Sequence, residues 1–195
     1  INSPSKLDIP LNSSTYKLFN SKSMFDFCTY MSQLTGQNHM ARAWQFEHTT
    51  CSGLGYLEGM LEQYQSTANF VCTSDVCQES LYAQSGGWFK RRVYTVFIIA
   101  RYEYGNQADY AVKMDRCREL ARQFTARMLH DSLQLQTEML YLDTDNIKCS
   151  ELGGIFLNGC TGLYLMVGMD EPTDLTYNPD LWADNTTSHE PQQQP

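Results

Sequence analysis

The chain has 195 residues, a net charge of -8, 42% hydrophobic residues and only 18% charged residues. This length supports one domain with a sizeable core, and the low charged fraction excludes a charge-driven disordered chain. The acidic balance argues against a dedicated nucleic-acid binder, and the longest apolar stretch, 93–100, is far too short to span a bilayer. No secretory-signal pattern opens the sequence, so we expect a signal to be absent or already removed.

The first part of the chain predicts an arm, a helix and a short strand. Residues 1–20, rich in Ser, Asn, Pro and Lys, are expected to form an extended arm before a single domain over 21–170. Ser23 is predicted to cap a helix that ends at Gly36. The apolar residues of this helix follow at helical spacing: Met24, Phe27, Cys28, Met31 and Leu34. Residues 39–48 alternate as in a short strand. One face of that strand would carry Arg42, Trp44, Phe46 and His48.

A second helical pattern and then a strong strand signal follow. The helical pattern consists of Leu57, Met60, Leu61 and Tyr64. Residues 69–87 are ambiguous and end in a loop of Ser85, Gly86 and Gly87. The run 93–102 carries β-branched and aromatic residues on both faces of a strand, which predicts a central strand covered on both faces.

A long amphipathic helix is predicted from a cap at Asp109 to about His130. Its apolar residues are spaced alternately four and three positions apart and form one stripe: Tyr110, Met114, Cys117, Ala121, Phe124 and Met128. The opposite face is basic and carries Lys113, Arg116, Arg118, Arg122 and Arg127. Two acidic residues, Asp115 and Glu119, lie among these cations, so the helix is locally basic in an acidic protein.

The last part of the domain predicts strands and turns. Residues 143–151 and 155–157 read as strand, Asn158-Gly159 is a hairpin turn, and residues 163–169 alternate as a final strand. Residues 171–195 form a Pro/Gln-rich tail without periodicity. The predicted fold class is therefore α+β: a mainly antiparallel sheet packed by one long helix, at about 109–131, and by shorter N-terminal helices.

The sequence contains no recognisable catalytic constellation. Nucleophilic catalysis needs a Ser, Cys or Thr beside a base, and that base is usually a His. The four histidines are His39, His48, His130 and His189. No GxSxG motif occurs, and Gly53, Gly55 and Gly59 are more typical of a helix entrance than of a dinucleotide site. We expect no catalytic residues, no cofactor and no enzymatic activity, with a small-ligand site between sheet and helix as a weaker alternative.

Cysteine usage leaves one metal-binding alternative. The seven cysteines include no CxxC pair and are expected to be reduced, as in a cytosol-like compartment. His48, Cys51, Cys72 and Cys77 lie at spacings of three, twenty-one and five, and four such ligands could bind zinc tetrahedrally. The other interpretation is three half-buried cysteines and an exposed histidine. No metal is predicted, and a zinc-stabilised cytosolic enzyme or adaptor is the alternative function.

Acidic residues at the predicted strand ends offer a second possible cation site. Asp143 and Asp145 form one pair, and Asp170 and Glu171 form another. Their carboxylate oxygens could hold a cation, but acidic loop residues are usually just solvated.

The basic residues are the candidate interface. They are Lys90, Arg91 and Arg92 together with Arg116, Arg118, Arg122 and Arg127. Three interpretations stay open: contact with DNA or phosphate without sequence specificity, pairing with acidic surfaces of neighbouring copies, and a solvated face with local ion pairs. Pairing between two different patches of one subunit is the geometry of a head-to-tail ring.

The segment 89–182 carries a pattern of element order. Phe89-Lys90-Arg91-Arg92 leads into a strand and the long helix, and the segment ends with a strand over 159–166 and Pro172-Thr173-Asp174-Leu175. This order resembles tail-terminator, tail-completion and head–tail connector proteins of tailed phages and contractile injection systems. The resemblance implies a small α+β subunit that forms rings, commonly hexamers or dodecamers, and that is not an enzyme.

The same resemblance implies the partners and the location of the chain. The partners would be copies of itself and other structural proteins of the virion, the tail or the portal side, with no membrane contact. The location would be the virion, assembled in the host cytoplasm. The arm at 1–20 and the tail at 171–195 would join the basic residues in contacts between subunits.

Overall fold

A computed structural model describes residues 25–53, 69–152 and 159–183. Three helices and seven strands occur in these ranges. In chain order they are α1 Phe27–Gln37, α2 His39–Ala43, β1 Phe46–Cys51, β2 Asn69–Ser74, β3 Gln78–Gln84, β4 Gly87–Arg101, α3 Gln107–Thr137, β5 Tyr141–Leu142, β6 Lys148–Leu152 and β7 Cys160–Thr173. A short 3-10 helix, Pro179–Leu181, follows β7. No helix in these ranges is long and apolar enough to cross a membrane.

The strands form one seven-stranded sheet in the order β1-β2-β4-β7-β5, with β3 beside β4 and β6 beside β7. Strands β1 and β2 run parallel, and the other pairings in the described ranges are antiparallel. The pairing of β4 with β7 extends over fourteen residue pairs, from Trp88–Thr173 to Arg101–Cys160. The predicted α+β class, with a mainly antiparallel sheet and one long helix, is confirmed.

The main core lies between the sheet and helices α1 and α3. The predicted stripe of α3 is buried at five of its six positions, and Tyr110 is half-buried. The buried residues of α3 are Met114, Cys117, Leu120, Ala121, Phe124, Met128 and Leu135. On β4, Val96 and Ile98 belong to this core, while Phe97 and Ile99 belong to a smaller cluster on the opposite face. Strand β4 is thus central and covered on both faces, as its composition predicts.

The region 39–48, predicted as a strand, divides into a helix and a strand. Asn38 caps α2, because its side-chain oxygen accepts a hydrogen bond from the Ala41 amide at 2.8 Å. Gln45 then adopts a positive φ of 57°, and β1 begins only at Phe46. The predicted strand is therefore correct for Phe46 and His48, but it was predicted to begin too early, because residues 39–43 form a helix.

The predicted helix boundaries also shift, because caps other than those expected are used. Asp26 caps α1 through the Thr29 amide, and Gly36 lies inside α1 rather than ending it. Asn106 caps α3 by accepting a hydrogen bond from the Asp109 amide, and the helix continues past His130 to Thr137. The proposed Ser23 cap lies outside the described residues.

Most of the C-terminal half forms strands where the sequence predicts them, although some predicted segments are divided into two strands. The ambiguous stretch 69–87 contains β2 and β3, and the expected loop is a turn at Ser85 and Gly86. The single strand predicted over 143–151 is replaced by β5 and β6 with a turn between them. The helical pattern at 57–64, the strand at 155–157, residue Asn158 and both chain ends at 1–24 and 184–195 lie outside the described residues.

Candidate functional site

The first group of predicted interface cations lies at the N-terminal end of β4, beside acidic residues of β7. Arg91 is paired with Asp170 in the strand register, and its Nε and Nη2 donate hydrogen bonds of 2.7 and 2.8 Å to the carboxylate. Its Nη1 lies 3.0 Å from an oxygen of Asp143, in the turn after β5. Hydrogen bonds to Asp170 raise the pKa of Arg91 above its usual value. The guanidinium therefore binds two carboxylates of its own chain.

The other two cations of this strand end also have partners in the same chain. Lys90 Nζ lies 2.8 Å from a carboxylate oxygen of Glu171, its register partner on β7. Arg92 donates a hydrogen bond of 2.9 Å to Glu79 on β3 and lies 3.5 Å from Glu171. The strand end is thus held by ion pairs on both sides of β4, and its net charge is close to balanced.

The Arg91 guanidinium contacts one end of a row of three aromatic rings. The guanidinium carbon lies 5.6 Å from the centre of the Tyr82 ring, within the range of a cation–π contact. Tyr82 in turn stacks on Phe89 at 5.7 Å, and Phe89 meets Tyr141 edge-on at 6.1 Å. These rings belong to β3, β4 and β5, so the contacts join three strands beside one cation.

The arginines of α3 are paired mainly along the helix surface. Arg118 bridges Asp115 at 2.8 Å and Glu151 of β6 at 2.7 Å. Arg122 contacts Glu119 at 2.6 Å, and hydrogen bonds from Arg122 and Gln123 lower the pKa of Glu119 to about 2. Exposed pairs of this kind contribute little to stability, because water screens both charges.

Arg127 and Arg116 complete the set. Arg127 contacts Asp131, one turn further along α3, at 2.8 Å. The Arg116 guanidinium lies 5.5 Å from the centre of the Trp44 ring, between α2 and β1. Of the three interpretations of the basic residues, the structure supports local ion pairing directly. Contacts with DNA or with neighbouring copies would have to share or replace these pairs.

The acidic residues that could have held a cation face arginine and lysine side chains instead. Asp143 and Asp170 bind opposite parts of the Arg91 guanidinium, and Asp143 also accepts hydrogen bonds from Asn146 at 3.0 and 3.1 Å. Glu171 contacts Lys90. The charge of these carboxylates is thus balanced within the protein, and Asp145 lies exposed in the turn beside them.

The four candidate zinc ligands are not brought together. His48 Nε2 and Thr73 Oγ1 are hydrogen-bonded at 3.0 Å. His48 lies on the same face of the sheet as Phe46, which belongs to the core beneath the helices. Cys51 and Cys72 lie in the cluster on the opposite face, because side chains alternate along a strand. Cys77 is exposed in the turn after β2. Across the described ranges no group of three or more His, Cys, Asp or Glu side chains could hold a metal ion.

Two of these cysteines nevertheless form a close pair on neighbouring parallel strands. A hydrogen bond with Cys51 and burial raise the pKa of the Cys72 thiol, while the same contact lowers the pKa of Cys51. Both side chains are almost fully buried, at 1% and 0% exposure. The two thiols thus interact inside the sheet, within the small cluster on the face opposite the main core.

Among the described histidines, His48 lies beside a hydroxyl, that of Thr73 at 3.0 Å, but Thr73 is fully buried, so a substrate cannot reach this pair in the folded protein. His39 and His130 are exposed, at the start of α2 and near the end of α3. His48 is half-buried, and burial lowers its pKa. His189 lies outside the described residues.

A groove lies between α3 and β6 at the edge of the sheet. The sequence left open a small-ligand site between sheet and helix but did not place it beside β6. The groove has a volume of about 450 Å³. Its lining is mainly apolar, with charged groups at the rim, and consists of Arg118, Ala121, Arg122, Thr125, Ala126, Leu129, Cys149, Glu151, Leu163 and Leu165. The basic face of α3 pointed to one side of this groove, but the position of β6 on the other side depends on its pairing with β7 and was not predictable.

Sequence reasoning also missed the apolar character of the segment after β7. Residues 174–183, here called the C-terminal arm, were grouped with a polar tail. Four large apolar side chains of the arm are exposed: Leu175, Tyr177, Leu181 and Trp182. The rings of Tyr177 and Trp182 lie 6.0 Å apart. A cluster of apolar side chains among Asp, Asn and Pro residues was the available signal.

Comparison of the chain with models of known protein families gives no match, and comparison with curated proteins gives none either.

Proposed function

We propose that this chain is a non-enzymatic structural subunit that assembles with copies of itself into a ring. Its place would be a phage or phage-like particle, in the role of a tail terminator, tail-completion protein or head–tail connector. The partners would be further copies and other structural proteins of the virion, tail or portal side. The observation that carries the proposal is the presence of two unlike surfaces on one subunit: the acidic, apolar C-terminal arm and the arginine-flanked groove.

The distribution of charge along the chain supports this proposal. Lys148 is the last lysine or arginine, so the final part of the chain carries no cation. The acidic residues after β7 are Asp174, Asp180, Asp184 and Glu190. The cations of α3 lie on a different surface. A contact between two different patches is heterologous, and it closes into a ring when the rotation between neighbours divides a full turn.

The ion pairs that α3 arginines form within their own chain limit the contribution of charge to the affinity between subunits. Arg118 and Arg122 each have a carboxylate partner, so a neighbouring acidic arm would gain only the remaining donors of each guanidinium. Apolar contact must therefore supply most of the affinity, and charge would set orientation and partner choice. The exposed apolar side chains of the arm meet that requirement.

The arrangement of elements supports the same class of protein. A long strand, the long helix and a returning strand follow one another as β4, α3 and β7, the order on which the resemblance to tail and connector proteins rests. Because one fold serves many functions, this element order supports the proposal and does not carry it.

Native mass spectrometry of the purified full chain, from low to high micromolar concentration, tests the proposal. We expect a discrete closed oligomer that negative-stain electron microscopy shows as a ring. Cryo-electron microscopy of the intact particle should then locate the chain at a tail or head–tail junction. A chain that stays monomeric throughout this range, and that is absent from particles, would contradict the proposal.

A further inference from the structure

We propose that the C-terminal arm binds in the groove between α3 and β6 of a second copy of this chain. The inference rests on the proposed ring assembly, and it names the two surfaces that make the contact. The arm would place its apolar side chains in the groove and its carboxylates beside the arginines at the rim.

The arm presents more apolar surface than an isolated subunit would be expected to leave in water. Leu181 is 79% exposed, Tyr177 is 63% exposed and Trp182 is 57% exposed. Leu175 adds a fourth exposed apolar side chain at 47%. Contiguous exposed patches of this kind typically mark binding surfaces, and Trp and Tyr are the residues that most often dominate binding energy.

The arm has local hydrogen bonds that favour one shape before binding. The Asp174 carboxylate accepts a hydrogen bond from the Thr176 amide at 2.9 Å, and Asn178 accepts one from the Asp180 amide at 3.0 Å. Pro179 begins the 3-10 helix and restricts its own φ. A segment that is already shaped loses less entropy on binding, so more of its contact energy appears as affinity.

The groove offers a matching apolar surface at an open edge. Leu129 on α3 is 42% exposed and supplies the main accessible apolar side chain, whereas Leu163 and Leu165 on β7 line the bottom of the groove and are almost fully buried. Strand β6 forms the outer wall, and among the described residues it pairs with β7 alone. An extended peptide could therefore bury apolar side chains in the groove beside an unpaired strand edge.

The arm is acidic, and the arginines at the groove rim keep N–H donors beyond those used by their own partners, Asp115, Glu119 and Glu151. The arm contains Asp174 and Asp180 and no lysine or arginine. Arg118 and Arg122 stand at the rim of the groove, and both are more than half exposed. Each guanidinium has five N–H donors, so it can keep its present partner and still donate to an incoming carboxylate.

The arm begins far from the groove of its own chain. It leaves β7 at Thr173, which pairs with Trp88 at the far end of the β4–β7 ladder. Leu165, on the floor of the groove, lies eight residues earlier on the same strand, or about 26 Å away at the rise of an extended chain. A neighbouring copy can bring its groove to the arm directly. Repeating this contact from copy to copy gives a ring.

A peptide-binding experiment tests the contact independently of ring formation. The probe is a fluorescently labelled synthetic peptide of residues 171–195. The target is the full chain carrying Leu181→Ser and Trp182→Ser, so that its own arm does not compete. We expect saturable binding by fluorescence anisotropy, at least a tenfold loss with Leu129→Asp added, and no binding of a scrambled peptide.

Leu133→Asp provides the matched control for the groove variant. Leu133 lies one turn further along α3, is 74% exposed and does not line the groove. The peptide should bind this variant as it binds the parent. Equal loss with Leu129→Asp and Leu133→Asp, or no binding of the peptide at all, would overturn the proposed contact.

Assembly of the full chain then separates the two proposals. We expect the double substitution Leu181→Ser and Trp182→Ser to shift the wild-type oligomer to monomer, whereas Leu81→Ser, at an exposed position on β3, should leave it intact. Unchanged rings in the double variant would overturn the arm contact and leave the ring proposal standing. Open chains of copies that the double substitution dissociates, with no closed ring, would do the reverse.

Discussion

Arg91 and Asp170 face each other on adjacent strands, and the guanidinium donates two hydrogen bonds to one carboxylate, at 2.7 and 2.8 Å. Asp170 is only 8% exposed, so this contact lies at the boundary between core and solvent. Asp143 approaches the same guanidinium from the turn after β5. One arginine of the predicted interface therefore serves to join β4, β7 and the turn after β5.

The substitution Asp170→Asn should destabilise the protein by about 2 kcal/mol. The amide removes the negative charge and can accept only through its single oxygen, so one donor of Arg91 loses its partner. Urea unfolding followed by circular dichroism measures this change. Asp174→Asn, on the exposed arm, is the control and should change the unfolding free energy by less than about 0.5 kcal/mol. Equal effects of the two substitutions would show that the Arg91 contact contributes little.

Gly162→Ala should destabilise the sheet by at least about 2 kcal/mol. A methyl group on Gly162 would overlap the Ile98 carbonyl oxygen and lie 2.9 Å from Ile99 Cα on the adjacent strand β4. Gly36→Ala is the matched change, because a Cβ there meets nothing within 4 Å and Gly36 lies inside α1. It should stabilise the protein by about 0.5 kcal/mol. Thermal unfolding of both variants would refute this account if their shifts had the same sign.

His48 should make the protein less stable as the pH falls from about 7 toward 5.5. Burial lowers the pKa of His48 below its usual 6.5, while the carboxylate of Asp26 opposes this shift. The unfolded chain therefore binds a proton at a higher pH than the folded chain does. As the pH falls, the free energy of unfolding decreases from the pKa of the unfolded state down to the pKa of the folded state.

The variant His48→Gln removes this titration and can keep a hydrogen bond to Thr73. Its unfolding free energy, measured beside that of the wild type at each pH, should fall less steeply over the same window. Carboxylates of both proteins titrate at lower pH, so the difference between the two curves isolates His48. Parallel curves would show that His48 has the same pKa in both states.

Six of the seven thiols should fall into fast and slow classes toward iodoacetamide, with the half-buried Cys28 between them. Cys77 and Cys149 are exposed and should react first in the native protein. Four cysteines are buried and should react only when the protein opens: Cys51, Cys72, Cys117 and Cys160. Peptide mapping by mass spectrometry identifies each site. Labelling of Cys72 as fast as Cys77 would contradict the buried Cys51–Cys72 pair, and stoichiometric zinc that protects Cys77 would favour the zinc alternative.

The long elements were predictable because their own residues specify them. The β-branched and aromatic run of β4 and the stripe from Met114 to Met128 on α3 identify a buried strand and a packed helix without outside information. Strand β3 was not predictable, because six of its seven residues are exposed and no alternation marks it. Helix α2 is short and depends on one cap, Asn38. The strand-like alternation of the residues around it led to the prediction of a strand instead of this helix.

The site was harder to predict, because its partners lie far apart in the sequence. Local ion pairing was one of three interpretations of Lys90, Arg91 and Arg92, but the sequence did not identify their partners. Asp170 and Glu171 reach Arg91 and Lys90 through the pairing of β4 with β7, and Glu79 reaches Arg92 from β3. The proposed zinc ligands failed for a similar reason. His48 and Cys51 are three residues apart on one strand, and an odd spacing places two side chains on opposite faces.

The pairing of β4 with β7 also determines when the chain can fold during synthesis. Even the nearest partners, Arg101 and Cys160, close a loop of about sixty residues, so the central ladder cannot form until β7 has left the ribosome. Helix α3 can form earlier from local contacts alone. Until Leu165 emerges, Val96 and Ile98 lack the strand that covers their edge, and the nascent chain is most vulnerable to aggregation and to chaperone capture at that stage.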